Sequence, residues 1–192
     1  MPIDLRKLLS NFEDVENRES RTAYFQTHVP WVAPLAYLNI IFKPLPDQAR
    51  ENSLRKFVVP PPLAEFYRLQ NGAILFSGAL SIYGFRVAGQ LLNREDPFAR
   101  LPHNIEDHWQ KLEAELLPFA GYSFDGSRVF IGRSDCKVYV SRGTEPAPSC
   151  MWKCLEEWIH GEISRLSSLF DRRGKQLADL SFTVPCSGRI GC

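Results

Sequence analysis

The strongest repeat of apolar positions lies toward the C-terminal end. Leu155, Trp158, Ile159, Ile163, Leu166, Leu169 and Phe170 recur at steps of three or four residues, the period of one helix face. Glu156 and Glu157 stand near the start of this stripe and Arg172 and Arg173 near its end, which suits the helix macrodipole, and Gly174 follows as a stop. The pattern predicts a helix running to Arg173, with Trp158 in the core. A second stripe, Leu5, Leu8, Leu9, Phe12 and Val15 behind Asp4 as N-cap, predicts an amphipathic helix over residues 4–17. Leu54, Phe57 and Val58 form the apolar side of a third, Asp47–Val58.

Proline and glycine divide the rest. The run Tyr37-Leu38-Asn39-Ile40-Ile41-Phe42 sits among Pro30, Pro34, Pro44 and Pro46 and reads as a short strand or a buried turn of helix. Pro60-Pro61-Pro62 opens a helix, because proline at the first turn loses no hydrogen bond. Leu63, Phe66, Tyr67 and Leu69 give its stripe, and Asn71-Gly72 closes it, with Gly72 expected in a left-handed conformation. Ala73–Phe76 and Ala79–Phe85, separated by Ser77-Gly78, read as a hairpin. Residues 86–115 are polar and mixed, with a loop at Asn93-Arg94-Glu95-Asp96-Pro97 and a helix expected around Ile105–Leu116. Strands are expected at Leu117–Gly121, Arg128–Ile131 and Lys137–Ser141. The turn-rich links Phe124-Asp125-Gly126-Ser127 and Arg133-Ser134-Asp135 make them an antiparallel meander.

Composition narrows the class. With 44% hydrophobic and 12% aromatic residues the chain can build a real core. Its 23 basic and 22 acidic side chains nearly cancel, which removes the electrostatic footprint of a nucleic-acid binder and argues against a strongly basic nuclease as target. The first residues alternate charge with apolar side chains and show no secretory h-region, and no apolar run is long enough for a membrane span. An odd count of five cysteines in a chain of this length needs no disulfide framework. The expectation is a cytoplasmic protein without membrane contact.

Pro61-Pro62-Leu63-Ala64-Glu65-Phe66-Tyr67-Arg68-Leu69-Gln70-Asn71-Gly72 resembles the proline-led helix ending in Asn-Gly of the SUKH superfamily. This group includes the Smi/Knr-type fungal regulators and bacterial immunity proteins of polymorphic toxin systems. Ala79-Leu80-Ser81-Ile82-Tyr83-Gly84-Phe85 resembles its hairpin strand, and Phe119-Ala120 through Asp125-Gly126 to Ile131-Gly132 its turn-and-strand stretch. Lys137-Val138-Tyr139-Val140 and the Trp158 helix resemble its last strand and closing helix. The resemblance covers about residues 45–174, leaving 1–44 as an N-terminal extension with one helix and 175–192 as a tail. It implies an α+β domain, one largely antiparallel sheet flanked by helices. It also implies a non-enzymatic protein-binding module that neutralises a cognate toxin without a cofactor, or else a Smi/Knr-type regulatory scaffold.

Catalytic chemistry has little to stand on. Gly121-Tyr122-Ser123-Phe124-Asp125-Gly126 misses the nucleophile elbow and reads as a hairpin turn. Gly84-Phe85-Arg86-Val87-Ala88-Gly89 lacks both the Walker lysine and Rossmann spacing. Cys150, Cys154 and His160, with Cys136 as a possible fourth, supply only the first half of a zinc pattern and read as buried free cysteines near a helix start. They are the site of the rival reading, a small hydrolase. No metal is expected, and His28, His103 and His108 read as surface histidines. Recognition is expected on the irregular stretch Arg86–Trp109, with Phe98, Arg100 and Trp109 as the partner-binding residues, because arginine and aromatic side chains dominate binding hot spots.

Overall fold

Apolar runs bounded by turn residues become strands, and each pairs with the next along the chain. The computed structural model describes residues 3–13, 16–30, 37–86, 101–108, 115–141 and 150–177. Among them nine strands form one antiparallel sheet in sequential order: β1 Arg18–Glu19, β2 Ala23–His28, β3 Tyr37–Phe42, β4 Ala73–Leu75, β5 Leu80–Ile82, β6 Leu116–Tyr122, β7 Arg128–Gly132, β8 Val138–Ser141 and β9 Cys150–Trp152. Five helices accompany it: α1 Leu5–Leu8, α2 Asp47–Phe57, α3 Pro61–Leu69, α4 Ile105–His108 and α5 Leu155–Ser167. The fold is mixed helix and strand around one large antiparallel sheet, as its apolar pattern predicts.

β3 settles the ambiguous run as a strand. All six of its residues are buried. Ile41 joins the main core, while Ile40 and Phe42 face Phe25 and Ala23 across the β2–β3 ladder and form a second, smaller apolar cluster with Tyr37. A strand buried on both sides has no polar face, so alternation could not identify it.

Several boundaries differ from the expected ones, each through a tertiary contact. The helix expected over 4–17 shortens to α1, because Glu13 N–H donates to the Arg172 carbonyl and Asn17 Oδ1 accepts from Thr27 N–H. Leu9 and Phe12 stay buried all the same. The helix expected to reach Leu116 cannot do so, since Leu116 already pairs with Gly132 at the start of β6. The closing helix stops at Ser167 rather than Arg173, and Phe170 turns back to bridge Gln176 and stack on Phe76 at 5.5 Å. Gly174 takes a φ of +76° in that turn, where a Cβ would come within 2.7 Å of Val29.

Helix α3 also ends early. Gln70 is extended, and Asn71 pairs as a strand residue would: its N–H donates to the Phe42 carbonyl, and its side-chain amide exchanges two hydrogen bonds with the backbone of Phe85 at 2.8 and 2.9 Å. Gly72 takes the expected positive φ, +86°, as the turn into β4 rather than as the helix end. Helix α2 closes on a left-handed Val58, and Arg133 of the β7–β8 turn donates to the carbonyls of Phe57 and Val58. Residues 1–44 supply β1, β2 and β3 to the sheet and Leu5, Leu9 and Phe12 to the main core.

Candidate functional site

Where β5 runs out, the chain continues as Tyr83-Gly84-Phe85 and is held on both sides. Tyr83 N–H donates to the Phe119 carbonyl at 2.7 Å, which prolongs the β5–β6 ladder by one bond. Gly84 N–H donates to the His103 carbonyl at 2.8 Å, and Ile105 N–H donates to the Gly84 carbonyl at 2.9 Å, a parallel bridge with Asn104 between them. Arg86 Nε adds a bond to the Pro102 carbonyl at 3.0 Å. Only glycine fits at 84, because a Cβ there would overlap the Asn71 carbonyl oxygen. Residues 84–86 and 102–105 therefore meet at one bracket beside β5.

This bracket brings two histidines onto one tyrosine. The Tyr83 ring lies parallel to the His108 imidazole, 3.9 Å between centroids and 6° between planes, and His103 lies on the same ring system at 6.4 Å and 18°. Tyr83 itself reaches across β6, and Gly121 leaves the room, since a Cβ at 121 would overlap the Tyr83 hydroxyl. Together with Ser127 and Arg128 from the β6–β7 hairpin these residues line a cleft of about 310 Å³. Ser127 is buried, and its hydroxyl has no hydrogen-bond partner among the described residues; its N–H donates to Asp125 Oδ1. Arg128 makes no ion pair among the described residues.

The electrostatics follow from burial. Partial burial holds both imidazoles below the usual histidine range, reinforced by the Arg86 charge at His103 and by His103 and Arg128 at His108; Asp107 opposes this at both. Asp107 lies 3.8 Å from Arg86, so part of its field is spent on that partner. Burial pushes the Tyr83 phenol up to about 12. Near neutral pH the cleft thus presents neutral imidazoles, a protonated phenol and the arginine charge. Such a set offers several donors, one positive charge and no carboxylate in the wall.

Beneath the cleft lies a buried polar triad. The Tyr122 hydroxyl donates to Glu162 Oε2 at 2.8 Å, and Arg165 grips the same carboxylate through Nε at 3.1 Å and a terminal nitrogen at 2.7 Å. Glu162 is only 4% exposed, and its side-chain oxygens are satisfied by these two partners. The triad ties α5 to β6 and fixes the strand that floors the cleft.

Of the residues expected at a site, Phe98, Arg100 and Trp109 lie outside the described residues. Trp158 is fully buried, as its stripe position requires. Cys154 is exposed rather than buried: it is the N-cap of α5, its sulfur accepting Glu157 N–H while the Glu157 carboxylate accepts Lys153 N–H at 3.0 Å. A thiol thus takes the usual N-cap hydroxyl position, while the Glu157 carboxylate reaches back to the residue before the cap, and a cap belongs at the surface. His160 is also exposed, and Cys136 sits at a φ of +57° before β8. No group of three His, Cys, Asp or Glu side chains suited to a metal ion occurs among the described residues. No helix among them is long and apolar enough to cross a membrane.

The pairing of His103 and His108 on Tyr83 had no signature in the sequence. The histidines are five residues apart, which no helix or strand period brings together, and Tyr83 joins them only through the Gly84 bridge. No protein-family model, no curated protein and no solved structure matches this chain.

Proposed function

We propose that this chain is a non-enzymatic protein-binding module of the immunity type, which neutralises a cognate bacterial toxin by covering its active site. The order α3, Asn71-Gly72, β4–β5 hairpin, β6–β8 meander and α5 is the order on which the SUKH resemblance rests. The observation that carries the reading is the bracket at Gly84. It holds Gly84 and Arg86 to residues 102–105 through backbone and side-chain hydrogen bonds, beside a cleft with hydrogen-bonding walls. Recognition sites are built this way, from loops whose ends a scaffold holds still. The partner face comprises the rim of the Tyr83 cleft and, on the adjoining segments, Phe98, Arg100 and Trp109. A Smi/Knr-type scaffold would use the same face without inhibiting its partner.

The test is co-expression with the product of the neighbouring gene in the source genome. The wild-type chain should relieve that product's toxicity and co-elute with it. A folded Phe98→Ala, Arg100→Ala, Trp109→Ala variant, matched to wild type by circular dichroism, should do neither. Full relief of toxicity by the triple variant would remove this face from the reading, and a stable complex whose partner remains active would favour the scaffold.

A further inference from the structure

The geometry points to the Tyr83 cleft as a carboxylate receptor: an acidic side chain of the protein partner docks against Arg128, flanked by His103 and His108, and its arrival draws a proton onto the imidazoles. The inference rests on the protein-binding reading above and names the chemistry that reading would use. Three independent observations converge on it. Arg128 lines an open cleft without an ion pair among the described residues, whereas Lys43, Lys56, Arg68 and Arg165 each meet a carboxylate. The wall beside it supplies donors, the Tyr83 phenol and two imidazoles. Ser127, on the same wall, is 1% exposed and its hydroxyl finds no hydrogen-bond partner among the described residues. A buried polar group left unpaired is unusual in a finished structure and asks for a ligand atom or water.

The charge set explains why an anion fits and a cation does not. The charged and titratable groups facing the imidazoles among the described residues are Arg86, Asp107, Arg128 and Tyr83. Asp107 lies beside Arg86, so Arg128 is left as the uncompensated charge. A guanidinium takes a carboxylate through two parallel hydrogen bonds, and this geometry favours an acidic side chain over a halide. The entering negative charge also reverses the balance at the histidines, since an opposite charge nearby favours their protonated form. Proton uptake must therefore accompany binding, and by linkage the affinity rises as pH falls below the ordinary histidine range. At higher pH the arginine carries the contact alone.

The isolated full chain is sufficient for the test. Histidine ring resonances are followed by NMR through a pH titration, alone and with a hexaglutamate peptide. Hexaglutamine, inorganic phosphate and sodium chloride of matched ionic strength serve as the other arms. Hexaglutamate should raise the titration midpoints of His103 and His108, and hexaglutamine should do nothing. Arg128→Gln should weaken the peptide's apparent affinity about tenfold, the scale of a charge-assisted hydrogen bond, whereas Arg128→Lys, which keeps the charge but loses the paired hydrogen bonds, should weaken it by less. An equal response from Arg128→Gln, or no response to the peptide, overturns the proposal. So does a response to phosphate with none to hexaglutamate. The toxicity assay separates the two readings. If Arg128→Gln still neutralises the toxin, the cleft is not the receptor and the module stands. If hexaglutamate binds while no partner is neutralised, the receptor stands and the immunity reading falls.

Discussion

Gly72 shows how one residue can meet two demands at once. Its φ of +86° already excludes most side chains, and a Cβ would stand 2.5 Å from the Ile82 carbonyl oxygen, a backbone atom that cannot step aside. Gly72→Ala should therefore cost at least about 2 kcal/mol, the left-handed penalty and the overlap together, read as a drop in urea midpoint at unchanged m-value. A loss of a few tenths would mean that β4 and β5 shift to absorb the methyl group. The positive φ was legible in the Asn-Gly pair, but the close approach to β5 was not, because it depends on a strand ten residues away. The histidines of the cleft extend the point. Their folded-state pKa values lie below the unfolded value of about 6.5, so the unfolded chain binds more protons over the intervening range. Stability should be fully present above about pH 6.5 and fall as the pH drops toward the folded-state values. Replacing both His103 and His108 by Gln should flatten that limb of a stability–pH curve. An unchanged slope in the double variant would assign the acid sensitivity to other groups.

Among the elements, α5 was the most legible and carries the largest energetic stake. Its stripe of apolar residues places Trp158 in the core, fully buried and edge-on to Phe119 at 5.2 Å between ring centroids. Trp158→Ala should cost roughly 3–5 kcal/mol, since the packed sheet cannot close the space left by an indole. Thermal or urea unfolding followed by circular dichroism measures it, and a loss below about 1 kcal/mol would show that the helix repacks. Glu162 was not legible as a core residue. It stands one position before Ile163 and looks like part of a solvated face, yet it is buried because Tyr122 and Arg165 satisfy it. Glu162→Ala leaves the buried Tyr122 hydroxyl without its acceptor and should cost about 1–3 kcal/mol, read as a drop in urea midpoint. The strands β6, β7 and β8 were legible for a simpler reason: apolar runs alternating with Asp, Gly and Ser turns leave a meander as the local solution. Helix ends were read less well. Periodicity continues through Leu169 and Phe170 even though the backbone has already turned, because a stripe of side chains reports burial and not hydrogen bonding.

For the molecule as a whole, the instructive region is the N-terminal 44 residues, which the resemblance leaves outside the matched stretch. The structure binds them in through three separate kinds of contact. The β2–β3 ladder runs from Ala23↔Phe42 to His28↔Tyr37, and β3 in turn pairs with β4. Gln70, at the end of α3, accepts Leu5 N–H and donates to the Ile3 carbonyl at 2.9 Å, while Phe12 packs edge-on against Phe76 at 6.0 Å. At the far end, Glu13 N–H reaches the Arg172 carbonyl beyond α5, so the start and the close of the described chain meet. None of these pairings is local in sequence, and a pattern of apolar positions contains no information on which distant strand a run will join. The consequence is testable by truncation. A chain beginning at residue 45 would lose β1, β2 and β3, leave β4 as a bare edge with its ladder groups unpaired, and expose Leu75, Phe76 and Phe170 where Leu9, Phe12 and Leu38 now cover the core. Stability of a domain is a small difference between large terms, so a loss on this scale should abolish folding rather than lower a midpoint. The truncated chain should show no cooperative thermal transition and should bind a hydrophobic dye. A sharp two-state melt from the chain that begins at residue 45 would show that the core closes without β1–β3 and that these strands are an attachment to a self-sufficient domain.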